Sequence, residues 1–298
     1  MPGTGTKTPS TMSDIPVSPN LRIESIFHPS DFSAASEAAF AHALKIALVT
    51  RARLRMLHVS DSPDADWHDF PGVRDTLVRW GLLTQDSPRG AVAQLGIDVR
   101  KVISEGPDPV RACLTFLENH PADLIVLAVH AHEGRMRWLH RPVGEPIARD
   151  SGLMTLFLPQ GAAGFVSLQN GSVALRRILI PIASKPRPQP AIEAVDRLIR
   201  QLDAPTGQVT LLHVGSSGEA PAVRLPADSR WNWETVTRPG EPVPVILEAA
   251  STQQTDLIVM TTDGPDGFLD GLRGTTSERV LRQARCPVLI LPAGTIRV

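Results

Sequence analysis

The chain has 298 residues, of which 42% are hydrophobic and 20% are charged, and its formal net charge is −1. This length suits two domains of roughly 130–150 residues, each able to bury its own core. A nearly neutral balance argues against nucleic acid or an anionic membrane as the main partner. The longest clean apolar run, Leu124–Val129, is far shorter than the ~20 residues that a membrane-spanning helix needs.

Residues 1–20 contain almost no large apolar side chains, so we expect a disordered tail. No apolar stretch follows Lys7, and the composition does not indicate a secretory signal. The two cysteines, Cys113 and Cys286, lie in different halves and form no CxxC pair. They indicate buried thiols in a reducing compartment rather than a disulfide framework. We therefore expect a cytoplasmic protein.

From residue 21 onward, short β-branched runs alternate with segments of helical periodicity. The strands are apolar on both faces, which is typical of a parallel sheet covered by helices on both sides. In the first half, strands are predicted at 23–29, 54–59, 99–103, 123–129 and 154–158, and helices at 33–48, 109–118 and 143–149. In the second half, strands are predicted at 178–182, 209–214, 234–237, 256–261 and 288–291, and helices at 191–201, 243–251 and 277–283.

The two halves repeat the same pattern. Asp123 and Asp256 are 133 positions apart, as are the prolines that follow the last strand of each half. The LHV motif instead recurs at a distance of 155, so the first half carries an insert of about 21 residues within 61–95. We predict domain 1 at 21–160, a linker at 161–175 and domain 2 at 176–298.

Several motifs occur in the same order in both halves: LHV at Leu57–Val59 and Leu212–Val214, and a glycine-proline helix start near Gly106 and Gly240. With the segment Ser277–Ala293, they resemble the universal stress protein family over essentially all of 21–298. The resemblance implies an α/β fold of two tandem Rossmann-like domains. Each would be a five-stranded parallel sheet with helices on both faces, and the domains would pair through their last strands. It also implies a stress-response role, with ATP as the ligand of many members.

Nucleotide-binding members of that family carry Gly-x2-Gly-x9-Gly and a hydroxyl residue between the fourth strand and the last helix. Glycines let backbone N–H groups surround phosphate oxygens, and a helix N-terminus favours the anion. In domain 2, Gly264 and Gly274 match, followed by Thr275 and Thr276, and the resemblance places the backbone of Val214 near adenine. We therefore predict a partial ATP site in domain 2.

Other features of domain 2 depart from the motif. Thr261 replaces the first glycine, and Ala183 replaces the first-strand aspartate that lies near ribose or metal in the family. Three aspartates against one arginine give the loop 263–274 a local charge of −2, which opposes a triphosphate unless a metal intervenes. Thr275 with Glu278 also reads as a capping box, so a helix cap without nucleotide is the alternative.

Domain 1 shows the reverse pattern. Its first-strand aspartate, Asp31, is present, but Ala128, Ala131 and Arg141 stand where the three glycines belong, and Pro142 replaces the hydroxyl residue. The glycine-rich phosphate cradle is absent from the sequence, which predicts that domain 1 has lost its nucleotide site.

A basic loop takes the place of those glycines. Side-chain cations can hold an anion where backbone amides cannot. The alternative is a solvated loop or a brace at the domain contact. No third ligand accompanies the histidines, so we predict no metal site. The residues of the hypothetical anion site are His130, Arg137, His140 and Arg141.

No catalytic motif accompanies these sites, and the sequence contains neither Gly-x-Ser-x-Gly nor GxxxxGK[ST] nor HExxH. We therefore favour a regulatory, ligand-binding module over an enzyme. One alternative is an ATP-binding switch with slow hydrolysis in domain 2. Another is a binder of anions or small metabolites that uses the basic loop of domain 1. The expected partners are an adenine nucleotide or small anion, the protein's own second domain, and a second copy in a homodimer.

Overall fold

The computed structural model describes residues 22–60, 66–88, 90–129, 143–162, 164–262 and 275–292. It contains one ten-stranded sheet with helices on both faces. The strands are β1 (Ser25–Pro29), β2 (Arg53–Ser60), β3 (Asp98–Glu105), β4 (Leu124–Val129), β5 (Met154–Pro159), β6 (Arg177–Ile182), β7 (Gln208–Val214), β8 (Asn232–Arg238), β9 (Leu257–Thr262) and β10 (Val288–Pro292). The helices are α1 (Ala34–Thr50), α2 (Val73–Arg79), α3 (Ala91–Gln94), α4 (Pro109–Asn119), α5 (Gly144–Ser151), α6 (Gln189–Gln201), α7 (Pro242–Thr252) and α8 (Thr276–Gln283).

The strand order is β3-β2-β1-β4-β5-β10-β9-β6-β7-β8. All pairs within each half are parallel, whereas β5 and β10 are antiparallel, with Leu156 opposite Leu289. The predicted fold class and the pairing of the two halves through their last strands are therefore confirmed. Because β5 and β10 pair with each other, neither apolar strand is left as an exposed edge.

An aspartate fixes the neighbouring strands at the centre of each half. Asp123 precedes β4, and its Oδ2 accepts the backbone N–H groups of Glu24 and Ser25 at 2.8 and 2.9 Å. Asp256 precedes β9 and accepts the two N–H groups of residues 176–177, both at 2.8 Å. These bonds hold the start of β1 against β4 and the start of β6 against β9. At these two places the strand order reverses within each half of the sheet.

Two hydrophobic cores lie on opposite faces of the sheet, and both continue across the seam between β5 and β10. One core lies under α1 and α6 and includes Leu156 and Leu289. The other lies under α4, α5, α7 and α8 and includes Phe157 and Ile290. Because each core takes residues from both halves, the halves pack as one body.

The segment predicted as a linker packs closely on domain 1. Val166 and Val173 form an antiparallel bridge. Nε2 of His42, on α1, accepts the backbone N–H groups of Phe165 and Val166 at 2.9 and 3.1 Å. Nδ1 of the same ring donates to the carbonyl of Ala38 at 2.8 Å, which defines a neutral tautomer. Complete burial agrees with this state and lowers the pKa of His42 to about 4.

The insert of the first half contains a 3₁₀ turn (Trp67–Asp69), α2 and α3. Trp80 follows α2 and is buried, and its indole N–H donates to the carbonyl of Leu168 at 3.2 Å. The insert thus packs on the linker as well as on the sheet. Among the helices that the structure describes, none is long and apolar enough to cross a bilayer.

Candidate ligand sites at the strand ends

Each half has a point where the strand order reverses, between β1 and β4 in the first half and between β6 and β9 in the second. In open α/β sheets, ligands bind in the crevice outside the carboxyl ends of the strands at this point. Asp31 follows β1, Val214 ends β7, and Thr275 and Thr276 begin α8. The structure therefore places these four predicted residues at strand or helix ends in the two halves.

Asp31 participates in the turn that begins α1. Its Oδ1 accepts the backbone N–H of Ser33 at 3.1 Å and the hydroxyl of Ser36 at 2.5 Å. Ser33 in turn is the N-cap of the helix and accepts the N–H of Ser36. The side chain is exposed, but its hydrogen bonds already serve the helix start. In this half the aspartate has a structural task that needs no ligand.

An aromatic cluster covers the carboxyl ends of β1 and β2. The ring of Phe32 stacks on His58, with 3.8 Å between centroids and 17° between planes. Phe70, from the insert, meets Phe32 edge-on at 5.0 Å and is 3% exposed. Phe32 holds this position with a backbone φ of 61°, which is uncommon outside glycine. The insert therefore closes this end of the first half with a side chain of its own.

A lysine packs on the outer part of the same cluster. Nζ of Lys101, on β3, lies 5.7 Å from the centroid of the Phe70 ring, within the range of a cation–π contact. Partial burial lowers the pKa of Lys101, and the nearby carboxylate of Asp75 acts in the opposite direction. The contact gives Phe70 a second anchor besides Phe32.

Equivalent histidines tie neighbouring strands together in both halves. Nδ1 of His58 donates to the carbonyl of Ser30 at 2.8 Å, and Nδ1 of His213 donates to that of Ile182 at 3.3 Å. Both histidines therefore have a structural role at equivalent positions of the two halves. His213 is buried, and its Nε2 has no hydrogen-bond partner among the residues that the structure describes.

The second half has no counterpart of the aromatic cluster in the part of the chain that the structure describes. After Val214 the chain turns at Gly215, whose N–H donates to the carbonyl of Arg238 at 3.0 Å. A short 3₁₀ turn, Ser217–Glu219, follows where the first half has its insert. At the switch point, β6 leads to the exposed Ala183, and the neighbouring β9 ends with the buried Thr261 and Thr262.

Thr275 is the N-cap of α8, and its hydroxyl oxygen accepts the backbone N–H of Glu278 at 3.3 Å. The hydroxyl bond of the predicted capping box is therefore present. The next residue, Thr276, is exposed in the first turn of the helix. A hydroxyl at this position and the positive end of the helix dipole are favourable to an anion.

The corresponding helix of the first half, α5, begins differently. Its N-cap, Val143, provides no side-chain hydrogen bond. Glu145, in the first turn, is 9% exposed and receives two hydrogen bonds from Arg282 of α8. A buried carboxylate therefore already interacts with the positive end of this helix.

Several predicted site residues lie outside the described residues. They are Gly264, Gly274, His130, Arg137, His140 and Arg141. Within the described ranges, no group of three or more His, Cys, Asp or Glu residues could hold a metal ion.

Sequence reasoning missed Phe70 and Phe32, because no spacing rule connects the insert with the strand ends. Their aromatic side chains in otherwise polar segments were the available signal.

The architecture defines the class of protein: a tandem, doubly wound α/β protein whose two sheets join through antiparallel last strands. The sequence profile described as the universal stress protein family matches residues 23–159 and 231–292. The chain belongs to this family.

Proteins of similar sequence or structure agree with this assignment. A universal stress protein of Methanocaldococcus jannaschii is 26% identical over 151 residues, which cover 42% of this chain and 86% of that protein. The crystal structure of a universal stress protein from Archaeoglobus fulgidus has a TM-score of 0.61 and 18% identity, over 93% of this chain and 100% of that chain. A functionally unknown protein from Pseudomonas aeruginosa has a TM-score of 0.58 and 14% identity, over 91% and 93% of the two chains. The two structures share the tandem fold.

Proposed function

We propose that this protein is a regulatory, ligand-binding module in which domain 2 binds an adenine nucleotide and domain 1 does not. The observation that carries the proposal is the contrast between equivalent strand ends. In domain 1, Phe70 of the insert packs on Phe32 and His58. In domain 2, Val214 is followed by a short turn, and Thr275 caps α8 beside the candidate phosphate loop.

Two features support domain 2 as the nucleotide site, and a third sets a condition on it. Gly264 and Gly274 have the spacing of the family's phosphate loop, and a hydroxyl residue follows directly. The exposed Thr276 and the capped start of α8 offer backbone dipoles to an anion. The loop's net charge of −2 makes a divalent cation necessary for a triphosphate, so we expect Mg²⁺ to accompany ATP.

The direct test is calorimetric titration of the full chain with Mg·ATP, together with analysis of any nucleotide released by heating the purified protein. We expect weak, saturable binding with one site per chain. Gly274→Val should abolish binding with little change in melting temperature, because a branched side chain would block the approach of phosphate to the backbone.

The Thr275 hydroxyl provides a second, matched pair of variants. Thr275→Ser keeps the hydroxyl and should bind like the wild type. Thr275→Val should lose affinity and also about 1 kcal/mol of stability, because the helix loses its cap. Binding that is unchanged in Gly274→Val and Thr275→Val, but lost in Asp31→Ala, would instead assign the nucleotide to domain 1.

Hydrolysis of the nucleotide is the alternative function of the same site. It needs a group that activates water, and neither the sequence motifs nor the described strand ends offer an arrangement of this kind. We therefore propose binding without turnover. Phosphate release above the buffer rate that disappears in Gly274→Val would favour the slow ATPase.

A further inference from the structure

A basic segment leads from β6 to α6 at the carboxyl end of the second half's strands. Residues 183–188 contain Lys185 and Arg187 and no acidic residue, which gives the segment a net charge of +2. Both residues are exposed, and neither forms an ion pair or a side-chain hydrogen bond with a residue that the structure describes. Pro186 and Pro188 flank the arginine, and their fixed φ angles limit the conformations of the backbone. The segment therefore presents two unpaired cations beside the switch point between β6 and β9.

The corresponding segment of the first half has structural tasks. The registers of β1 on β4 and of β6 on β9 align Asp31 with Ala183 and Phe32 with Ser184. In the first half, the aspartate accepts hydrogen bonds at the start of α1, and Phe32 packs in the aromatic cluster. In the second half, Ala183 and Ser184 are exposed, and α6 begins without a side-chain cap. Among the described contacts, the basic segment thus has neither of these tasks.

The strand order determines which part of a nucleotide meets this segment. β6 lies between β7 and β9, and because neighbouring strands are about 4.8 Å apart, β7 and β9 are separated by about 10 Å. In the nucleotide proposal, adenine lies beside Val214 at the end of β7. Helix α8 joins the parallel strands β9 and β10, so it begins at the rim where β9 ends, and Thr275 and Thr276 lie on the side of the 5′-phosphates. The ribose connects these two parts and therefore lies over the end of β6, next to the basic segment.

We propose that domain 2 binds an adenine nucleotide that carries a phosphate on its ribose, at the 2′ or the 3′ position, and that Lys185 and Arg187 bind this phosphate. The inference rests on the nucleotide site proposed above. In dinucleotide-binding α/β folds, an acidic side chain near the ribose binds a hydroxyl group, whereas an arginine there accommodates a 2′-phosphate. The two halves show the same contrast, since Asp31 of the first half is replaced by Ala183 and two following cations. Lysine and arginine form charge-assisted hydrogen bonds with phosphate.

The two segments that border the ligand carry opposite charges. The loop 263–274 has a net charge of −2 and favours Mg²⁺ beside the 5′-phosphates, whereas the segment 183–188 has a net charge of +2. A nucleotide with phosphate at the 5′ position alone leaves Lys185 and Arg187 without an anion. A second phosphate on the ribose gives them one, and it needs no further metal ion.

The test is calorimetric titration of the full chain with adenosine 3′,5′-bisphosphate, adenosine 2′,5′-bisphosphate, ADP and AMP, at constant Mg²⁺ and ionic strength. ADP carries as many phosphates as either bisphosphate but none at the 2′ or 3′ position, so it controls for total charge. We expect at least one bisphosphate to bind about tenfold more tightly than ADP, because a hydrogen bond between charged groups contributes more than one between neutral groups. This preference should decrease as salt increases, since both cations are exposed.

Variants then test the two cations. The double variant Lys185→Met, Arg187→Met should lose the preference for the bisphosphate over ADP, and melting temperatures should confirm that it folds. The charge-conserving variant Lys185→Arg should retain the preference. Arg200→Met is the matched control, because Arg200 is an exposed cation at the other end of α6, where it is paired with Asp196. It should have the same ratio of dissociation constants as the wild type.

The possible outcomes separate this inference from the nucleotide proposal. Binding of ATP or ADP without any preference for a bisphosphate overturns the inference and leaves the nucleotide site intact. A preference that persists in the double variant, or that Arg200→Met removes as well, overturns the assignment to Lys185 and Arg187. If none of the adenine nucleotides binds, the nucleotide proposal and the inference both fall.

Discussion

Arg282 of α8 forms a bidentate ion pair with Glu145 of α5. Its Nε and Nη2 donate to the two carboxylate oxygens at 3.1 and 2.8 Å. The two residues come from opposite halves, and each has a repeat counterpart 133 positions away, Glu278 for Glu145 and Arg149 for Arg282. The hydrogen bond with Glu145 raises the pKa of Arg282. The ion pair thus joins α5 and α8 across the seam, on the face of the sheet opposite to α1 and α6.

Removing Arg282 should destabilise the seam. Arg282→Met leaves the Glu145 carboxylate buried without its partner, and we expect a loss of about 1–2 kcal/mol, since half of the arginine side chain is exposed to solvent. Urea unfolding measures this loss. Arg279→Met, at an exposed position on the same helix, is the control and should change little. Equal stability of the two variants would show that the pair contributes nothing.

We expect Phe70 to stabilise the first domain and to keep ligands away from the carboxyl ends of β1 and β2. Phe70→Ala removes a buried ring, and we expect a loss of about 3–5 kcal/mol in the free energy of unfolding. Trp67→Ala, in the neighbouring 3₁₀ turn, is the control, because Trp67 is 62% exposed. If Phe70 keeps ligands out of this end of the sheet, adenosine should bind the Phe70→Ala variant there, and Gly274→Val should not affect that binding. Destabilisation without such binding would limit Phe70 to packing.

Acid should destabilise the protein through its buried histidines. Burial lowers the pKa of both His28 and His42 to about 4, below the value of about 6.5 in an unfolded chain. Between these values the unfolded state binds more protons, so the free energy of unfolding falls as the pH falls. The slope should approach about 1.4 kcal/mol per pH unit for each histidine.

Urea unfolding at pH 7.0, 5.5 and 4.5 tests this expectation. His42→Leu should be less stable at pH 7, because Phe165 and Val166 lose their acceptor, and its stability should depend less on pH. His28→Leu should show a similarly reduced slope. A wild-type slope in both core variants would contradict the assignment.

Asp123 and Asp256 should contribute equally to the free energy of unfolding. Asp123→Ala and Asp256→Ala each leave two backbone N–H groups without their acceptor, and we expect each to cost about 1–3 kcal/mol. The asparagine variants keep one carbonyl oxygen and should lose less. Chemical denaturation of the four variants measures these losses. If only one of the two alanine variants is destabilised, the two halves differ in how much this aspartate contributes to the free energy of unfolding.

The basic loop of domain 1 can be tested for the anion site that its sequence suggests. If Arg141 binds phosphate, stabilisation by phosphate should be modest, should decrease with salt, and should strengthen below pH ~6.5 as His130 and His140 become charged. Thermal shift measurements of wild type and Arg141→Ala across salt and pH decide this. Identical behaviour of the two proteins would mean that the loop is solvated surface or a brace.

Much of the fold could be predicted from the sequence. Strand patterns depend on neighbouring residues, and the same pattern recurs in both halves. The position of Asp123 and Asp256 at a fixed spacing indicated the same element in each half. The pairing of the last strands was implied by the resemblance to the universal stress protein family. The helix cap at Thr275 was also legible, since capping depends on residues three positions apart.

The contacts that shape the sites could not be predicted in the same way. Phe70 reaches Phe32 and His58 across the insert, and His42 holds backbone groups more than 120 positions later. Such contacts depend on how a loop folds back on the sheet, and no periodicity encodes that path.

The antiparallel pairing of β5 with β10 has a geometric consequence for the two strand-end crevices. Because it reverses the direction of every strand at the seam, the carboxyl ends of β1 and β4 point to one rim of the sheet and those of β6 and β9 to the opposite rim. No single small molecule can bridge the two crevices. The two crevices therefore face opposite rims of the sheet, and the aromatic cluster of Phe32, His58 and Phe70 lies at the rim of the first half.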